Sequence, residues 1–120
     1  METGYPNGVA SLVCLRDGTT SLYTSTGGGM IGGGAHDAVV RANHALLATI
    51  EAHLGGMASS SDHSLPGEGR VIIRALTYEG QFVVDEAEDD LGHGRNAVSP
   101  VFQAGHDVIT QLRVLDEQRS

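Results

Sequence analysis

Apolar positions along the chain fall into short runs and longer periodic stretches, and the alternation of the two sets out the elements. Residues 9–15 form an apolar run containing Leu12, Val13 and Leu15. Asp17-Gly18, a two-residue turn signal, separates it from a second β-prone run at 19–26, so the two predict a hairpin. In the second run Ser21, Tyr23 and Ser25 alternate with Leu22, Thr24 and Thr26, which makes one face polar. A glycine tract follows at 27–34. From about Ala35, Val39, Val40, Asn43, Leu46, Leu47, Ile50 and Leu54 recur every three or four residues, the spacing of one buried helical face. Asp37 suits the first turn of that helix, and Gly55-Gly56 ends it.

The second half repeats the order. Residues 70–78, RVIIRALTY, read as a strand, Glu79-Gly80 as a turn, and 81–86 with Phe82, Val83 and Val84 as the returning strand. Ser99 as N-cap with Pro100 behind it opens a second helix, whose stripe is Phe102, Gly105, Val108, Ile109, Leu112 and Leu115, with 116–120 fraying. Residues 1–8 read as a loose start. Residues 55–69, rich in Gly, Ser and Pro, read as an internal flexible loop. The predicted architecture is therefore a single α+β domain over 1–120 of ββα-ββα order: a four-stranded antiparallel sheet with two helices packed on one face. A short internal likeness, Gly34-Ala35-His36-Asp37-Ala38-Val39 against Ala104-Gly105-His106-Asp107-Val108-Ile109, fits two copies of one ββα unit.

Charge narrows the function. The chain has 15 acidic residues against 7 basic ones, all of them arginine, for a net charge of −8. The arginines are dispersed and aromatic residues make up only 4%, so there is neither a basic stripe nor a stacking platform for nucleic acid. The same sign disfavours anionic membranes, and no apolar run approaches the ~20 residues of a membrane span. With no signal peptide to be read and one cysteine, Cys14, a reducing cytoplasm is expected. The acids at Glu79, Asp85, Glu86, Glu88, Asp89 and Asp90 read as a solvated edge.

Little in the sequence converges on catalysis. Gly27, Gly29 and Gly32 satisfy G-x-G-x-x-G, but the preceding strands form a hairpin, and Glu51, at the spacing of a ribose-binding acid, lies inside a helix. The absence of lysine excludes a Walker-type loop. The six histidines include no H-E-x-x-H, so no metal site and no cofactor are expected. Cys14, among apolar neighbours, reads as a buried, inert thiol. If the tract does hold a small or phosphate-bearing ligand at the helix start, the residues that would line it are Gly28, Gly29, Gly32, Gly33, His36, Arg95 and His106. The packing alternative has the glycines bend the chain, with Met30 and Ile31 tucked against a helix or across a dimer seam. Gly105 costs its helix about 1 kcal/mol against alanine, which predicts close approach of another backbone. The glycine tract is the expected neighbour, with His106 bonded to one of its carbonyls.

The stretch SLVCLRDGTTSLYTSTGGGMIGGGAH and the later LGHGRNAVSPVFQAGHDVITQLR resemble a family of small bacterial proteins of unknown activity, through TGGGxxGGGxH and SPxFxAGHxVIT motifs. More loosely, the order of elements over 9–54 is similar to the roadblock/LC7 domain. That resemblance implies a roadblock/profilin-like fold and a homodimer that regulates or scaffolds small GTPases or motor complexes. The chain departs from it in lacking a helix before Val9 and a clear fifth strand between Leu91 and Ser99. The expectation is a non-enzymatic homodimeric interaction or regulatory module, open to a protein partner. Its alternative is the small-ligand domain, an enzyme included, built on the tract.

Overall fold

Among residues 1–27, 29–32, 37–60 and 64–119, which the computed structural model describes, the chain opens with a strand, β1 (Glu2–Tyr5). There follow β2 (Gly8–Cys14), β3 (Thr20–Thr24) and β4 (Gly29–Gly32), then the helix α1 (Asp37–Ala52) and a 3-10 turn (Leu54–Gly56). The second half holds β5 (Ala58–Ser59), β6 (Arg70–Thr77), β7 (Gly80–Ala87), α2 (Glu88–Gly92) and α3 (Ser99–Arg119). Both expected hairpins form. At the first, Asp17 accepts the Thr19 N–H at 2.9 Å and Gly18 takes a φ of 96°, the left-handed conformation that the Asp-Gly pair supplies.

The fold is α+β, but the sheet is larger than the expected four strands. All strands join one antiparallel sheet in the order β4-β3-β2-β1-β6-β7-β5. Six of them run four residues or more, and β5 has two. The ββα-ββα order is corrected with it, because each half carries additional strands and a third helix, α2, lies between β7 and α3. Short strands escape a periodicity reading. Residues 2–5, taken for a loose start, are held between β2 and β6, with Thr3 opposite both Ala10 and Val71. Sheet partners on both sides stabilise four residues that would not hold an extended form alone. Of the acidic segment, Asp85 and Glu86 lie in β7, and Glu88, Asp89 and Asp90 open α2, where they complement the helix dipole.

Registers assign the faces. Leu12 lies opposite Leu22, and Val71, Ile73 and Ala75 alternate along β6 on the same side. With Val39 and Leu46 of α1, Leu91 of α2 and Phe102, Val108 and Leu112 of α3 they make one core, so the helices cover one face of the sheet. Where α3 begins, the Ser99 hydroxyl accepts the Asn96 N–H, and Asn96 Oδ1 accepts the N–H of Val98 at 2.9 Å. The helix continues to Arg119, through most of the stretch expected to fray.

The other face is half covered. Residues 64–69, part of the expected flexible loop, cross it as a strap. Arg74 on that face is ion-paired with Glu2 and donates to the Ser64 carbonyl, and the Gly69 N–H donates to the Gly4 carbonyl at 3.0 Å. Pro66 is buried. The strap lies so close that a Cβ on Gly4 would fall 2.6 Å from the Gly67 carbonyl carbon and 2.9 Å from the Pro66 oxygen. Over β2 and β3 the same face leaves Val13 and Tyr23 exposed, with Ser21 buried beside them.

Candidate interaction site

The glycine tract becomes the edge of the sheet. Hydrogen bonds from Leu15 N–H to Thr19 C=O and from Ser25 N–H to Val9 C=O show that odd-numbered residues of β3 bond to β2. Antiparallel ladders alternate, so Thr20 and Leu22 turn their backbone groups to β4. Their partners there are Gly32 and Met30. The backbone N–H and C=O groups of Gly29 and Ile31 therefore point away from the sheet, and no described strand pairs with that side.

Gly29 and Ile31 also mark positions on the open face. Ile31 stands in register with Ser21 and Val13, and Gly29 with Tyr23 and Ser11. Val13 and Tyr23, each next to last in its strand, are 43% and 46% exposed, less than Leu76 on β6 at 81%. A Cβ on Gly29 would sit 2.7 Å from the Leu22 carbonyl oxygen and 3.4 Å from the Tyr23 ring, so glycine lets β4 close up on β3. In the sequence Val13 reads as part of an apolar run, whereas alternation sets Tyr23 on one face with Ser21 and Ser25.

Of the tract residues expected to line a ligand, Gly29 and Gly32 belong to β4, while Gly28, Gly33 and His36 lie outside the described residues. Arg95 is exposed and ion-paired with Asp89 and Asp90, at 2.6 and 3.0 Å, and these bonds hold its guanidinium protonated. His106 stacks edge-on against Phe102 at 4.4 Å between ring centroids. Its Nε2 is buried without a hydrogen-bond partner among the described residues, so the expected bond to a tract carbonyl is not seen there. Partial burial lowers its pKa, opposed by the charges of Glu88 and Asp107 and reinforced by Arg113. Gly105 does admit a close neighbour, which among the described residues is the side chain of Met1: a Cβ there would meet Met1 Cε at 2.7 Å.

Burial pushes the Cys14 thiol up to about 11, which keeps it protonated and unreactive at neutral pH. Asn43, fully buried on α1, donates to Thr20 Oγ1 at 2.9 Å and to the Thr19 carbonyl at 3.2 Å, tying the helix to the first hairpin. Among the described residues no group of three or more His, Cys, Asp or Glu side chains is placed to hold a metal, and no helix is long and apolar enough to cross a membrane. An open groove of about 390 Å³ runs between α1 and α3, walled by Ala38, Ala42, Ala45 and Ala104 together with Arg41, Asp107, Thr110 and Gln111.

The chain matches no protein-family model, no curated protein and no solved structure.

Proposed function

We propose that this protein is a non-enzymatic homodimeric interaction or regulatory module of the cytoplasm, with the glycine strand as part of its contact surface. One observation carries the reading. Positions 18–36, between Asp17 and Asp37, hold no Asp, Glu, Lys or Arg in a chain of net charge −8, and this stretch supplies β3 and β4 at one edge of the sheet. Two copies with that net charge repel each other over most of their surfaces, and this edge lets them meet without opposing like charges. The exposed Val13 and Tyr23 add apolar area beside it.

The ligand-binding alternative draws less support. Gly29 and Gly32 are strand residues, and Arg95 is occupied by two carboxylates. The roadblock-like relation belongs to the preferred reading. A hairpin, a long helix, further antiparallel strands and a C-terminal helix occur here in that order, within a larger sheet. Sedimentation equilibrium at micromolar concentrations tests the proposal. A dimer is expected, and a monomer throughout that range overturns it.

A further inference from the structure

We infer that the second copy adds to the sheet through β4, strand to antiparallel strand, around a two-fold axis at Met30. The inference rests on the homodimeric reading and specifies its interface. β4 presents outward backbone groups at Gly29 and Ile31 only, as the ladder alternation with β3 requires. A two-fold axis through the Met30 positions sets Gly29 of each copy opposite Ile31 of the other. Each such pair exchanges both of its N–H···O bonds, so every outward group of the described strand gains a partner. The row Val13, Ser21, Ile31 of one copy then continues into Gly29, Tyr23, Ser11 of the second, and the sheet becomes continuous.

The other edge does not serve. β5 has two residues, and the Gln81 side chain bonds the Ser60 carbonyl just past it. Very short edges resist pairing, as do edges carrying charge or proline. β4 has none of these protections: it is four residues long, Gly-Met-Ile-Gly, uncharged and without proline. It also lies within the charge-free stretch at 18–36, where two acidic copies approach at least electrostatic cost.

Ile31→Pro tests the geometry. Proline removes the outward N–H of residue 31 and leaves the β3 ladder intact, since Met30 and Gly32 carry those bonds. It also favours an extended residue before it, which Met30 already is. The parent and Ile31→Val are expected to sediment as dimers, and Ile31→Pro as a monomer with the parent's far-ultraviolet circular dichroism. A folded Ile31→Pro that remains dimeric overturns the β4 pairing while leaving the homodimer standing, whereas a monomeric parent removes both. Should Ile31→Pro not fold, amide exchange in the parent decides. Protection of the Gly29 and Ile31 amides that disappears on dilution to monomer supports the pairing. Unprotected amides at these positions in a sedimenting dimer refute it.

Discussion

Gly4→Ala measures how firmly the strap holds. The added methyl group would sit 2.6 Å from the Gly67 carbonyl carbon and 2.9 Å from the Pro66 oxygen, and both are backbone atoms that no rotamer change can clear. Gly4 has an ordinary negative φ, so the substitution tests packing and not backbone conformation. Either β1 shifts within its two ladders or the strap lifts. Overpacking of this kind costs about 1–3 kcal/mol. Lifting the strap also strains the Gly69 N–H to Gly4 C=O bond, worth about 1 kcal/mol. The expected loss is about 2–4 kcal/mol, or roughly 10 °C in Tm for a domain of this size. Urea and thermal melts give the magnitude, and cleavage after Glu68 by a glutamate-specific protease reports whether the strap has lifted. Gly67→Ala is the control, since a Cβ there meets nothing within 4 Å. A Gly4→Ala protein that melts with the parent and resists the protease equally would show that residues 64–69 are a loose connector after all.

Burial holds the His106 imidazole below its ordinary 6.5, so the unfolded chain takes up that proton before the folded one does. Its contribution to stability is full above 6.5 and is lost as pH falls through 6.5 toward the folded value. His106→Phe should flatten that slope in urea melts and, by removing the unpaired Nε2, add up to about 1 kcal/mol at neutral pH; equal slopes in the two proteins would refute the assignment. Asn43→Ala removes its bonds to Thr19 and Thr20 and opens a cavity, partly offset by removal of the buried Oδ1 that has no partner among the described residues, for an expected cost of about 1–3 kcal/mol by chemical denaturation. A change near zero would mean that the helix does not depend on this tie. Cys14, its thiol pushed up to about 11, should resist alkylation at neutral pH in the native protein and label fully in denaturant; rapid native labelling would contradict its burial.

Periodicity in the sequence determined the long elements, α1, α3 and the two hairpins, although the second hairpin turns at Tyr78-Glu79, one residue before the expected Glu79-Gly80, with Thr77 opposite Gly80. These carry their own instructions, because a residue's neighbours three or four positions away, or across a short turn, are already present in the chain. The charge-free stretch at 18–36 could likewise be seen in the sequence, although its placement at an edge could not. What only the tertiary structure decided depends on partners far along the chain. β1 is a strand because β2 and β6 flank it, with Thr3 meeting Val71. Residues 64–69 form a strap because Gly4 leaves room for Gly67 and because Arg74 reaches both Glu2 and Ser64. The neighbour that Gly105 meets among the described residues is Met1, from the far end of the chain. Alternation set Tyr23 with Ser21 and Ser25 and Val13 stood in an apolar run, and neither pattern says which side of the sheet the strap covers. Helices on one face and a strap over half of the other leave these two side chains in solvent, beside the strand whose outward bonds are free among the described residues.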